Sequence, residues 1–159
     1  MDAGEVYRRL APSVLGYLRG QQVPDPEDVL GEVFFQVARS LPRFRGDEVE
    51  DLRRWVFTIA RHRVVDDVRR RRRRPQSADR PLPDLAAPPE AAGIDPDLLD
   101  ALGRLNDDQR EVITLRFVAD LSLEDVATIT GRSIGAVKSM QLRGIAQMAR
   151  NLKDPGSAD

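Results

Sequence analysis

Between Pro75 and Asp97 the chain reads PQSADRPLPDLAAPPEAAGIDPD, a stretch that holds six of its eleven prolines and no aromatic residue. Proline has no backbone N–H and its ring fixes φ, so neither a helix nor a strand runs through such a segment. Twenty-three residues without periodicity are too many for a loop inside a compact domain. The segment reads as an extended, acidic linker over residues 75–97. It separates a first domain, 1–74, from a second, 98–153, and residues 154–159 form a short tail.

Both flanks carry the period of amphipathic helices. In PEDVLGEVFFQVARSL, Leu30, Val33, Phe34, Val37, Ala38 and Leu41 recur at helical spacing and form an apolar stripe. Asp25 is placed to cap this helix, Pro26 falls in its first turn and Pro42 ends it. A second helix is expected over residues 49–73, with Leu52, Trp55, Val56, Ile59, Ala60 and Val64 inward. The phase of Trp55 with Leu52 and Ile59 favours the core over a stacking platform. An earlier helix near residues 3–19 completes a bundle, and no segment alternates with period two. The expected fold is all-α: two small helical domains joined by a proline-rich flexible linker.

The net charge of −1 conceals segregation. Residues 1–74 carry 16 Lys and Arg against 12 Asp and Glu; residues 75–97 carry 1 against 5. Residues 98–131 carry 3 against 7, and residues 132–153 carry 5 against none. Basic blocks alternate with acidic ones, which is charge patterning rather than balance, so the overall charge argues nothing against a nucleic-acid partner. The first basic block ends in six consecutive arginines, Arg69 to Arg74. Helical periodicity scatters them around the axis, so two or three face any one backbone. Arg69, Arg70 and Arg71 are the expected phosphate contacts, and Arg72 to Arg74 a frayed extension.

The second domain ends in LSLEDVATITGRSIGAVKSMQLRGIAQMARNL. Ser122 can cap a short helix through Ile129, with Asp125 at the reciprocal capping-box position. Gly131 permits a tight turn, and Ser133 can cap the helix that follows. In that last helix Ile134, Val137, Leu142, Ile145 and Met148 are expected inward, with Lys138, Gln141 and Arg143 on or beside the outer surface. This is the pattern of a helix-turn-helix, whose second helix offers long polar side chains to the major groove. An αα-corner with a basic last helix would share the pattern.

Several chemistries find no residues. There is no cysteine and a single histidine, His62, so thiolate and histidine metal sites are not expected. Asp66 and Asp67 have no nucleophile or metal partner and are expected to balance nearby arginines. GRSIGAVK does not fit a phosphate-binding loop. No apolar run suggests a membrane span or signal peptide, which makes a cytoplasmic protein the expectation. Neither an enzyme nor a cofactor is implied.

The ordered pieces resemble the extracytoplasmic-function (ECF) class of sigma factors, the short two-domain members of the sigma-70 family. The resemblance rests on DPEDVLGEVFFQVARSLPRFRG and LRRWVFTIARHRVVDDVRRRRR in the first half, and LNDDQREVITLRFVADLSLEDVATITGRSIGAVKS in the second. It implies a region 2 domain that binds core RNA polymerase and recognises and melts the minus-ten element. It implies a region 4 domain that reads the minus-thirty-five element. Asp28, Glu32, Phe35 and Arg39 would meet the clamp helices of the largest polymerase subunit, Phe35 being either an interface anchor or a second core contact. Arg45, Arg53, Arg54, Arg61, His62, Arg63, Arg69, Arg70 and Arg71 would hold the melted strand. Arg132, Ser133, Lys138, Ser139, Gln141 and Arg143 would meet the upstream duplex, and the helix around REVITLRFV would help to hold the polymerase flap. The linker acids Asp84, Glu90 and Asp95 would partly imitate RNA within the polymerase. The class also admits an anti-sigma partner, which no residue here specifies. Gly31, His62 and Met140 stand where the class usually has glutamine, asparagine and arginine; Met140 suggests a less polar base contact. An autonomous helix-turn-helix regulator, binding duplex DNA as a dimer, is the alternative. It leaves the first domain and its arginines without a task.

Overall fold

The computed structural model describes residues 1–73 and 94–154, apart from the side chain of Arg72. Among these residues every regular element is helical. Asp2 starts α1 (Ala3–Gly20) by accepting the Glu5 N–H at 2.9 Å. Helix α2 (Pro26–Ser40) begins on Pro26 with Glu27 and Asp28 in its first turn, where negative charge is favoured by the helix dipole. The expected Asp25 cap is not made by its side chain. Instead its backbone carbonyl accepts from the Val29 N–H at 3.1 Å, and the proline alone sets the helix entry. Pro42 diverts the chain into one 3₁₀ turn, Leu41–Arg43. Helix α3 (Val49–Arg73) has the expected bounds.

The buried stripe of α2 is Val29, Leu30, Val33, Phe34 and Val37. Ala38, expected inward, is exposed because it lies a tenth of a turn or more beyond the contact edge, and Val29, one turn before Val33, is buried instead. In α3, Leu52, Val56, Phe57, Ala60 and Val64 are buried. Trp55 and Ile59 are only partly so, at the margin of that stripe.

In the second half, Asp95 caps α4 (Pro96–Gly103) by accepting the Asp97 N–H at 2.8 Å. Of the expected linker, residues 75–93 lie outside the described residues, Asp84 and Glu90 among them. Asn106 caps α5 (Asp107–Ile113), which widens into a π-helical turn, Thr114–Val118. That turn closes through the Ala119 N–H to Thr114 carbonyl bond at 3.0 Å. Ser122 caps α6 (Leu123–Thr130) through the Asp125 N–H at 3.0 Å. Gly131, at φ 70°, makes the left-handed turn, and Ser133 caps α7 (Ile134–Lys153). A side chain other than glycine would be strained in that turn.

The apolar phase of α7 departs from expectation. Val137 is buried, but Ile134, Leu142 and Ile145 are exposed, Leu142 at 72%. Gly144, not a large residue, sits against α5, where a Cβ would meet Ile113 Cγ1 at 2.7 Å. The helix therefore buries Val137, Gly144 and Asn151, with Met148 partly so, a face rotated away from the row of large apolar residues.

The two helical regions are not held apart. One continuous core joins residues of α1, α2 and α3 to Val112, Leu115, Leu121 and Val126 of the second region. The approach is closest along α1, where a Cβ on Gly16 would lie 3.1 Å from Val118 Cγ1 and one on Gly20 would lie 2.7 Å from Thr114 Cγ2. Residues four apart share one helix face, so these glycines form a shallow groove that admits the π-helical turn. Tyr17, on the same helix, is buried edge-on to Phe57, with ring centroids 5.7 Å apart. Replacing Phe57 with alanine would remove the side chain at this junction. We expect a loss of about 3 to 5 kcal/mol in unfolding free energy, measured from urea midpoints.

Candidate nucleic-acid and polymerase interface

Three surfaces carry the sequence-expected residues. On α2, Asp28, Glu32, Phe35 and Arg39 fall at spacings of four, three and four and so share one face. Phe35 is 49% exposed, and the Arg39 guanidinium stands 5.8 Å from its ring centre, a cation–π contact. Phe35 is thus not a second core contact in this fold. Glu32 is tied inward to α3, 3.1 Å from Arg63 and 4.0 Å from Arg70. Two residues expected on the strand-binding surface are thereby coupled to one expected on the polymerase surface.

The second surface is an open cavity of about 470 Å³ at the start of α3. It is lined by Phe44, Arg45, Gly46, Asp51, Arg54, Trp55, Thr58 and, from α6, Thr128. The Phe44 and Trp55 rings lie 4.9 Å apart, tilted by 32°, and give it an aromatic wall. Asp51 shapes the rim by accepting the backbone N–H groups of Asp47 and Glu48, each at 3.2 Å. Those two bonds, followed by Arg54, hold its carboxyl below the usual carboxylate range. Its support for the loop is therefore complete above that range and is lost as the pH falls through the depressed value. Gly46 permits the tight path, since a Cβ there would come within 2.3 Å of Phe44 Cζ and 2.6 Å of Asp51 Cβ.

The arginines around this cavity are engaged. Arg54 bridges Asp51 at 2.9 Å and Asp125 of α6 at 3.1 Å. The hydrogen bond to Asp125 is the main cause of its raised pKa. Arg53 donates to the Ala119 carbonyl. Arg61 Nε donates to Glu111 Oε2 at 2.6 Å; burial opposes its charge, but Glu111 outweighs this and raises its pKa. Farther along α3, Arg71 pairs with Asp67, one turn earlier. His62 and Arg69 are exposed, as is Arg45, whose guanidinium donates to the Pro42 carbonyl at 3.4 Å. The expected frayed extension, Arg72 to Arg74, lies outside the described side chains except for the exposed Arg73.

The third surface is the outer face of the helix-turn-helix. Lys138 and Arg143 are exposed and Ser139 partly so, with Arg143 Nη1 donating to Ser139 Oγ at 2.6 Å. Ser133 spends its hydroxyl on the Ala136 N–H at 3.1 Å. Gln141 is half-buried with its side-chain carbonyl turned inward, so it does not stand on the outer surface. Met140, expected to offer an apolar base contact, is partly buried and packs against the core. Arg132 is drawn away from solvent, 2.7 Å from Asp108 and 2.9 Å from Glu111.

Sequence reasoning assigned nothing to Phe44, Asp51, Thr58, Glu111 or Thr128. Phe44 and Gly46 sat in the quoted turn and offered a signal; Glu111 did not, because its partners lie 50 residues before it and 21 residues after it.

Among the described residues the chain is all-helical, with an aromatic cavity edged by Arg45 and Arg54 in its first region and a helix-turn-helix in its second. Two family models match it in that order: "Sigma-70 region 2" over residues 6–74 and "Sigma-70, region 4" over residues 96–148. The chain belongs to the ECF sigma factors of the sigma-70 family. Among its relatives, the RNA polymerase sigma factor CarQ of Myxococcus xanthus is 33% identical over 91% of this chain and 85% of its own length. The ECF RNA polymerase sigma factor ShbA of Streptomyces griseus is 33% identical over 88% of this chain and 78% of its own length. BldN of Streptomyces coelicolor is 31% identical over 95% of this chain, which spans only 60% of BldN. The fold is shared with the sigma factor RpoE of Bartonella quintana, solved with the anti-sigma factor NepR, at TM-score 0.74 and 23% identity over 94% of this chain and 96% of that one. It is shared too with CnrH, solved with the cytosolic domain of CnrY, at TM-score 0.70 and 22% identity over 97% and 89%.

Trp55 is the only tryptophan. Gly46→Ala should push Phe44 off its ring and so shift the emission of the folded protein, and its clash with Asp51 Cβ should lower the urea midpoint as well. An unchanged spectrum would mean that the loop does not depend on this close approach.

Proposed function

We propose that this sigma factor binds core RNA polymerase through the outer face of α2, receives a base of the melted minus-ten strand at the Trp55 cavity, and reads the minus-thirty-five duplex with α7. The observation that carries the reading is the cavity: an aromatic wall of Phe44 and Trp55 with Arg45 and Arg54 at its edge. Extruded bases are held by stacking and their phosphates by cations, the two elements present here. Arg45, His62 and Arg69 supply exposed positions along α3 and the turn before it, and Lys138, Ser139 and Arg143 supply the duplex-facing set. Arg53, Arg54, Arg61, Arg63 and Arg70 join them once released from their present partners. The boundaries we assign are 1–74 for the polymerase- and minus-ten-binding part and 98–153 for the upstream-reading part.

The action is binding and melting, with no chemistry by the chain itself. Among the described residues no helix is long and apolar enough to cross a membrane, and the proposed partner places the chain with cytoplasmic polymerase. An anti-sigma factor fits the same class. The autonomous-regulator alternative is not favoured, since it gives the α2 face and the cavity no role.

The purified chain should co-elute with core RNA polymerase and direct it to start at discrete promoters. Phe35→Ala should weaken that association about tenfold, the scale of an interface anchor, without unfolding a protein in which the ring is half-exposed. Failure to co-elute would remove the reading altogether.

A further inference from the structure

The outer face of α7 carries its most exposed large apolar side chain among its cations. Leu142 is 72% exposed, and the helix holds no acidic residue from Ile134 to Lys153. Positions three, four and seven apart share a helix face, so Ser139, Lys138 and Gly135 lie on the same side as Leu142. Lys138 is exposed one turn before it. Arg143 follows it directly and is steadied by its bond to Ser139 Oγ at 2.6 Å. Gly135 leaves the start of this face bare, since a Cβ there would meet nothing within 4 Å. Read from its N-terminus, the face is thus a low backbone, then a cation, then one branched aliphatic group.

The neighbouring side chains leave Leu142 as the apolar reader. Val137 is buried, Met140 packs against the core, and the Gln141 side-chain carbonyl is turned inward. Ile145 and Leu152 are exposed too, but they lie toward the helix end, whereas the N-terminal part of a recognition helix meets the base edges. Leu142 stands just over two turns from Ile134, about 12 Å along the axis.

The charge on this face decides what can cover the leucine. A second copy of the chain fits poorly, because it would set Lys138, Arg143, Arg150 and Lys153 against their own counterparts. A duplex fits on both counts. Its phosphates meet the cations, and in the major groove each thymine adds a 5-methyl group, the apolar mark by which it is read there.

We propose that Leu142 is a specificity-determining residue that packs on the 5-methyl group of a thymine in the upstream duplex, beside the backbone or base edge held by Lys138. This rests on the sigma-factor reading above and adds to it one base preference. The apolar contact that the sequence placed at Met140 belongs two residues later, on the face that α7 leaves open. One methyl buried against a leucine is worth about fourfold in affinity.

Replacing thymine by deoxyuridine removes that methyl and nothing else. At a promoter from which the reconstituted holoenzyme starts, each thymine of the footprinted upstream element is replaced in turn. One replacement should weaken holoenzyme binding about fourfold. The Leu142→Ala holoenzyme should bind the thymine and uracil forms of that position equally, with a urea midpoint close to that of the parent because the side chain is exposed. The assignment is overturned, and the sigma reading left standing, if the element holds no thymine on either strand or if no replacement weakens binding. It is overturned equally if Leu142→Ala keeps the thymine-to-uracil ratio of the parent. Loss of core polymerase affinity in Leu142→Ala, with that ratio unchanged, would instead assign the residue to a protein contact. If the parent chain forms no holoenzyme, the sigma reading falls and this inference with it.

Discussion

A single buried carboxylate organises the junction of this molecule. Glu111 would be costly to bury alone, and it is tolerated because guanidinium groups approach both of its oxygens. Arg61, Arg132 and, through Arg132, Asp108 form an alternating chain of charges between the regions. The Tyr17 hydroxyl is enclosed beside it; burial first, and then the Glu111 charge, keeps that phenol protonated far above its ordinary range. Buried ion pairs of this sort add little net stability over a well-packed apolar substitute, yet removing one partner leaves a charge stranded. They fix which surfaces meet more than how tightly they hold.

What the sequence disclosed follows from the range of the forces involved. Helix α3 was legible end to end because its apolar period, its acidic start and Pro75 beyond it are local signals. The helix-turn-helix was legible for the same reason, down to the serine caps and Gly131. The phase of α7 was not. Leu142 and Ile145 form a convincing apolar row, but the neighbour against α7 is α5, and the small Gly144 side is the one that lets it approach.

The arginines show the same limit at the site. Composition identified a cationic surface, and family resemblance supplied its purpose. Neither disclosed that Arg53, Arg54 and Arg61 face acceptors more than 45 residues away, or that Arg63 and Arg70 share Glu32. A charge run is a local property, while its neutralisation is tertiary. Exposed Arg69 and the paired Arg70 and Arg71 are adjacent in sequence and differ in how much must be broken before they meet a phosphate.

The π-helical turn at Thr114–Val118 carries a geometric consequence for the whole chain. By fitting one more residue into a turn than an α-helix does, it sets the rotation at which everything after it departs. Shortening that turn by one residue would leave the side-chain caps of α5 and α6 in place. It would nevertheless swing α6 by close to a third of a revolution about the axis of α5, carrying Asp125 and Thr128 off the cavity rim. The length of this one turn is thus a phase setting, which fixes the angle of α6 to α5 and with it the place of Asp125 and Thr128 at the cavity rim.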